Sequence, residues 1–312
     1  MNKLRYSELF YSIQGEGRYV GVPSVFLRVF GCNFDCRGFG QPRDKDRWVL
    51  EEEMPHNKPY HDTLEIKSIK DLPVPDIGCD SSFSWGKRWG HLADYDDTGI
   101  IVDKINSHIP EDDGFIEPIH LVITGGEPLL RGFQPAMSDI IFHRKLRIKN
   151  ITVETNGTQT FPFNEIADTH EKYLWYCERF GIIEPNSFNN DSCYCLPNGI
   201  TWSVSPKLSI SGEEWKDAIV PEALLTYNMW PDSFLYLKFV VRDKHDIQEV
   251  EEAVSTYRDA GVKIDSVYLM PEGGTSEGLS FTEQDVVQLC LDTGYKFSPR
   301  LHINLFGNKW GT

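Results

Sequence analysis

The sequence predicts an α/β protein whose parallel sheet is covered by crossover helices. Three observations carry this: short apolar runs recur along the chain, amphipathic helical patterns lie between several of them, and glycines close those patterns. The runs are 25–30, 119–123, 151–154, 202–204, 235–241, 267–270 and 301–305. Each is short and strand-like, and alternation of such runs with helical patterns reads as short buried strands. In 246–260, Ile247, Val250, Val254 and Tyr257 share one helical face, the charges take the other, and Gly261 is a stop signal. In 282–293, Thr282 reads as the N-cap, and Val286, Val287, Leu289, Cys290 and Leu291 supply apolar surface before Gly294.

Two stretches break the rhythm. Residues 37–78 mix Pro, Lys, Asp and Glu with few periodic apolars, and 161–199 hold one helical piece, 164–180, followed by polar Asn, Ser and Cys. Both read as insertions on one compact domain spanning 1–312, each with some local order. The 312 residues carry 31 Lys and Arg against 47 Asp and Glu, a net charge of -16. That balance argues against a phosphate-tracking surface for nucleic acid and against attraction to an anionic membrane. The cysteine count is seven, which is odd, and neither a secretory segment nor a membrane-length apolar run is present. A reducing, cytoplasmic compartment is the expectation, where cysteines serve as ligands, nucleophiles or buried hydrophobes.

Cys32 and Cys36 stand four apart just after a strand. Two thiolates from one loop can share a metal ion or take two corners of an iron–sulfur cluster, and a buried or zinc-binding pair is the competing reading. After run 119–123 come Thr124, Gly125, Gly126, Glu127 and Pro128, where glycines at a strand end let a ligand approach the backbone.

In this order, the two features resemble the radical S-adenosylmethionine (SAM) superfamily. There a CxxxCxxC loop holds three irons of a 4Fe-4S cluster, and a Gly-Gly-Glu-Pro segment after the second strand binds the methionine amino group of SAM. The third cysteine of that loop falls on Phe39 here. Cys79, Asp80, Ser81 and Trp85, however, resemble the Cys-Asp-Thr/Ser-x-x-x-Trp element of the 7-carboxy-7-deazaguanine synthase family. Residues 37–78 then become an insertion inside the cluster loop. Segments 11–17, 21–24 and 26–28 resemble that family's N-terminal substrate segment. Residues 154–157, Ser205 with Pro206 and Lys207, 235–241 and 268–272 match its later elements in order, and 300–307 resemble its C-terminal strand.

The resemblance implies a partial (β/α) barrel with its chemistry at the C-terminal mouth of the strands. It places the 4Fe-4S cluster on Cys32, Cys36 and Cys79. SAM lies along Asp80, Gly125, Gly126, Glu127, Glu154, Ser205, Pro206, Lys207, Met270, Pro271 and Glu272, and Mg²⁺ sits on Ser81, which keeps the hydroxyl of the usual threonine. The substrate, 6-carboxy-5,6,7,8-tetrahydropterin, falls to Gln14, Gly15, Glu16, Arg28, Thr124, His302 and the Thr312 carboxylate. The implied reaction is a ring contraction to 7-carboxy-7-deazaguanine with loss of ammonia, a lyase step of 7-deazaguanine and queuosine biosynthesis. A 5'-deoxyadenosyl radical starts it by hydrogen abstraction and then returns to SAM. An electron donor such as flavodoxin or ferredoxin, and a homodimer, come with the family.

On side-chain chemistry alone, several of these keep a plainer alternative. Arg28 interrupts an apolar strand, so it clamps either a substrate carboxylate or a protein acid. Lys207 also reads as a surface lysine and Ser81 as a loop hydroxyl. Cys177 and Cys290 read as buried hydrophobes, and Cys193 with Cys195 as loop thiols or a second metal pair. Two other functions compete: an activase for a glycyl-radical enzyme, using the same cluster and SAM half-site, and a non-catalytic metal- or cluster-binding protein.

Overall fold

The computed structural model describes residues 2–41, 66–72, 77–110, 119–167 and 199–311. Nine strands form one sheet: β1 (Lys3–Ile13), β2 (Pro23–Val29), β3 (Asp94–Asp97), β4 (His120–Gly125), β5 (Asn150–Thr155), β6 (Thr201–Val204), β7 (Phe234–Val241), β8 (Ser266–Pro271) and β9 (Lys296–Phe297). Their spatial order is β3-β1-β2-β4-β5-β6-β7-β8-β9. From β2 to β9 every pairing is parallel, and β1 is antiparallel to both neighbours. Successive parallel strands need crossover connections, which here include α1 (Thr98–Ser107), α2 (Gln134–Ile141), α3 (Phe163–Ile166), α4 (Trp215–Ala218), α5 (Pro221–Asn228), α6 (Lys244–Asp259) and α7 (Ser276–Thr293). A last helix, α8 (Leu301–Phe306), follows β9. This is the α/β, partial-barrel architecture that the sequence predicts.

The two faces of the sheet differ in chemistry. Leu27, Ile123, Val153, Trp202 and Leu237 on one face are fully buried with Ile101, Met137, Val250 and Val286 from the covering helices. Truncating any such side chain to alanine costs about 2–5 kcal/mol. On the other face, Phe26, Arg28, Thr124, Glu154, Ser203, Lys238 and Met270 line one cavity. The alternation of a strand thus sorts the apolar residues outward to the helices and most of the polar ones inward.

One irregularity aims a side chain into that cavity. In β1, Tyr6 pairs with Val29 but Glu8 pairs with Arg28, so the ladder carries a bulge at Ser7. The extra residue changes which face the even-numbered positions meet. Leu4 and Tyr6 therefore join the main core, whereas Glu8 and Phe10 line the cavity.

Three readings are corrected. Run 301–305 is the helix α8, not a strand: the sheet ends at β9, only Ile303 of the run is fully buried, and Gly307 closes the helix in the left-handed conformation. The last long helix starts at Ser276 rather than after Thr282. Its N-cap is Thr275, whose hydroxyl accepts from Gly278 N, while the Thr282 hydroxyl donates to Glu272 O at 2.7 Å. The strand β1 was absent from the apolar runs because its inward Glu8 interrupts the pattern. Of the helical piece 164–180, only α3 falls among the described residues; of the stretch 37–78 these are 37–41, 66–72 and 77–78, and of 161–199 they are 161–167 and 199. No helix among the described residues is long and apolar enough to cross a membrane.

Candidate active site

The cavity opens at the C-terminal ends of the parallel strands and measures about 570 Å³. Strand ends supply its walls, as in other barrels of alternating strands and helices. Cys32 and Cys36, in the loop after β2, and Cys79, beyond the gap in the described chain, all face it. Phe39 packs against this cluster of side chains, occupying the neighbourhood of the thiols without offering a ligand. Its carbonyl accepts from Gly78 N at 2.7 Å, so the two ends of the interrupted loop are joined next to Cys79.

Burial pushes the Cys32 thiol up to about 12 and the Cys79 thiol up to about 11, and holds Cys36 well above the ordinary range. Lys207 opposes the shift at all three. Thiols in such a setting stay neutral until a cation compensates their ionised form. Among the described residues no three His, Cys, Asp or Glu converge to hold a single ion. Three thiols on one cavity, each needing a cation to ionise, are a donor set that would fit three irons of a 4Fe-4S cluster.

Carboxylates hold the loop in place. Glu213 accepts from Asp35 N at 3.0 Å and from Cys36 N at 2.7 Å, where Cys36 has a φ of 47°. Glu272 accepts from Gly40 N at 2.7 Å. Replacing Glu213 with alanine leaves the Cys36 amide without its acceptor. The expected result is a loss of about 1–3 kcal/mol in denaturant unfolding, with faster labelling of Cys36 by a thiol reagent.

The glycine segment after β4 is shaped by close approach. A side chain at Gly126 would meet Gly31 O at 2.0 Å, so the strand end presses against the cysteine loop, and both Gly125 and Gly126 line the cavity. Glu127 faces the opposite way. Fully buried, it accepts from Leu129 N, Asn156 N and the Thr155 hydroxyl, and burial raises its carboxyl to about 7. It ties the end of β4 to that of β5 and does not line the cavity, nor do Pro206 and Pro271. Ser205, Lys207, Met270 and Glu272 do line it, with Lys207 Nζ 3.2 Å from Ser205 Oγ.

On the opposite wall, Arg28 Nε lies 3.0 Å from Glu8 Oε2, and its Nη1 donates to Ser81 Oγ at 3.2 Å. Arg28 thus has a protein acid as its partner, and it also lines the cavity. Ser81 in turn donates to Asp80 at 3.3 Å. Gln14 donates to Glu154 Oε1 at 3.0 Å and Thr124 donates to its Oε2 at 2.8 Å, so Glu154 fixes two neighbours while itself facing the cavity.

Glu16 sits in a buried network that sequence reasoning did not assemble. Lys238 Nζ donates to it at 2.6 Å and Arg300 Nε at 3.0 Å, and Arg300 also binds Asp80 and Gly273 O. Burial opposes the Glu16 carboxylate, but Lys238 and then Arg300 outweigh it and hold the carboxyl well below the usual range. The same signal that singled out Arg28, a charge inside an apolar strand, was present at Lys238. Nothing in the sequence pairs Arg300 with Glu16 or Asp80. His302 lies against Gly15, where a β-carbon would sit 2.2 Å from its ring, and its Nε2 is 3.9 Å from Glu16. Burial lowers the His302 pKa, favouring the neutral ring. Thr312, like Cys177, Cys193 and Cys195, lies outside the described residues.

No protein-family model matches the chain. It is 28% identical over 315 residues to the 7-carboxy-7-deazaguanine synthase of Halobacterium salinarum, covering 98% of this chain and 91% of the relative. The enzyme of the same name from Rhodopirellula baltica is 25% identical, with 100% and 90% covered, and that from Escherichia coli 23%, with 92% and 89%. The crystal structure of QueE from Escherichia coli aligns with 96% of this chain and 95% of its own at 19% identity, with a TM-score of 0.49. The similarity to these 7-carboxy-7-deazaguanine synthases runs over nearly the whole length of each chain rather than over one motif.

Proposed function

We infer that the protein is a radical SAM lyase that converts 6-carboxy-5,6,7,8-tetrahydropterin to 7-carboxy-7-deazaguanine with loss of ammonia, a step of 7-deazaguanine and queuosine biosynthesis. The observation that carries this reading is the position of Cys79. Separated from Cys36 by the whole of 37–78, it nevertheless faces the same cavity as Cys32 and Cys36. When bound, the cluster and SAM supply the reducing electron and the hydrogen-abstracting radical that such a ring contraction needs.

The chain's own residues supply position and charge. Cys32, Cys36 and Cys79 are the cluster ligands in this reading, and Gly125, Gly126, Ser205, Lys207 and Met270 the wall along SAM. Arg28 meets the substrate carboxylate with the edge of its guanidinium that Glu8 does not hold. Glu16, kept ionised by Lys238 and Arg300, accepts hydrogen bonds from the pterin edge. Gln14 and Thr124, oriented by Glu154, read further polar positions. Ser81 and Asp80 offer two oxygens to Mg²⁺, which characteristically keeps waters and substrate oxygens in its remaining positions. The site's work is to hold one carbon–hydrogen bond in line and to exclude water.

Electron delivery by flavodoxin or ferredoxin, dimerisation and a cytoplasmic location complete the proposal. No observation favours the activase, which needs an open groove for a protein substrate, whereas residues 308–311 line this cavity. The deciding experiment reconstitutes the protein anaerobically with iron and sulfide, then adds SAM, a reductant and carboxytetrahydropterin. A deazapurine detected by mass spectrometry is the expected outcome; SAM cleavage without any deazapurine refutes the substrate assignment.

A further inference from the structure

The far end of the insertion and the end of the chain meet. Residues 66–72 include a short 3-10 turn, Ile69–Asp71, and bury Ile66, Ile69 and Leu72 with Phe30, Phe83 and Trp89. This small core is distinct from the one between sheet and helices. Trp310 packs onto it edge to face, 5.1 Å from the Phe83 ring, and its indole N–H donates to Leu72 O at 3.1 Å. The next residue, Gly311, lies against the Lys70 side chain and lines the cavity beside Glu8, the carboxylate that holds Arg28. Before Trp310, Asn308 donates to Gly274 O at 3.1 Å, beyond β8. The tail thus runs from the loop after β8 to the β1–β2 pair, and residues 308–311 line the cavity along the way.

A short segment beyond the last described helix keeps one place only where contacts hold it. Here the tie includes a single half-buried tryptophan on a shelf to which the insertion contributes three side chains. We propose that residues 66–72 are the seat of the C-terminal tail, with Trp310 as the positioning residue that fixes 308–311 as a wall of the cavity. An insertion placed between two cluster ligands thereby serves the opposite, substrate-facing side of the site. That the wall faces a carboxypterin rests on the function proposed above; the seat itself does not.

The test is a double-mutant cycle on Ile69→Ala and Trp310→Ala, read by backbone hydrogen exchange at 307–311 in protein without cluster or SAM. Each single change is expected to speed exchange there by about 10-fold or more. The double variant should add little to either, because both loosen the same small core on which the tail rests. Unchanged exchange in the tail of Ile69→Ala, or effects that simply multiply, overturns the seat. Should Ile69→Ala fail to fold, Trp310→Ala still decides, since loss of the tail must also loosen residues 66–72; unaltered protection of 66–72 overturns the proposal.

In the reconstituted enzyme, Trp310→Ala should bind iron as the parent does and raise the substrate KM by roughly 10-fold, with kcat changed far less. A loosened tail with an unchanged KM overturns the substrate-wall half of the proposal. If the parent itself makes no deazapurine, the function reading has failed, and the exchange result on the seat stands independently.

Discussion

Replacing Cys79 with alanine is expected to abolish the 4Fe-4S absorption and paramagnetic signals after anaerobic reconstitution, and to reduce product formation below detection. The argument is one of ligand number. Cys32 and Cys36 leave two irons without protein thiolates, and the residue nearest the position where the family loop carries its third cysteine is Phe39, which has no donor atom. Among the described residues the fourth free cysteine is Cys290, buried on α7 in the main core and unable to substitute. Alanine at 79 removes a thiol that faces the cavity, and the backbone closure between Phe39 O and Gly78 N is untouched. The fold should therefore survive, with an unfolding midpoint close to the parent's when both lack the cluster. Iron and sulfide content, measured against Phe39→Ala as a control that should retain the cluster, reads the difference. A Cys79→Ala protein that assembles the same cluster sinks the displaced-ligand reading.

The second large effect is expected at Lys238, replaced with methionine. Its ammonium is buried on β7 and donates to Glu16 at 2.6 Å, so its removal leaves a buried carboxylate with Arg300 as the remaining close partner. Breaking one side of a buried pair costs about 3–5 kcal/mol, and the retained Arg300 puts the expected loss at the lower end. The sign with pH follows from the direction of both shifts. Glu16 is held below its ordinary value of 4.5 and Lys238 above its ordinary 10.5, so the stabilisation from their pairing is complete between those values. It fades as pH falls through the depressed carboxyl or rises through the elevated ammonium. Thermal unfolding of the cluster-free protein should show a wide gap between parent and Lys238→Met at pH 7, narrowing below about pH 4.5. Adding Glu16→Gln to the variant should recover much of the stability by removing the unpaired charge, yet leave turnover low because the cavity carboxylate proposed to meet the substrate is gone. A gap that stays constant into acid refutes the ion pair as the source.

Much of the fold was legible because strands such as 121–123 and 235–241 are near-continuous apolar runs, and the helix 244–259 repeats its apolar positions at helical spacing. Legibility failed where one residue broke a pattern for a reason found only in three dimensions. Glu8 interrupts β1 because a bulge turns it toward Arg28, and 301–305 alternates like a strand although its backbone is helical. The candidate site followed the same rule. Residues with an unusual local setting, such as Arg28 or the Gly125–Gly126 pair, were visible in one dimension. Glu213, Lys238 and Arg300 act through partners brought near by the fold, and only Lys238 carried a local sign of it. Glu127 and Glu272 show the converse. They sit in motifs that suggested ligand contact, yet their carboxylates engage backbone amides of neighbouring loops, and Glu127 does not face the cavity.

The hydrogen bond from Gly78 N to Phe39 O has a consequence for how this chain tolerates change. It makes the points where the insertion leaves and rejoins the core immediate neighbours. The entropy of closing a flexible loop rises only with the logarithm of its length, each doubling costing about 0.6 kcal/mol. With the exit and the return pinned together, the length of the excursion between Phe39 and Gly78 is nearly neutral for the geometry of the three thiols. The distance between Cys36 and Cys79 along the chain is thus a poor guide to their distance in space. A motif defined by fixed spacing will miss members of such a family whose cluster loop has grown at this joint, and a search that lets the gap after the second cysteine float should recover them.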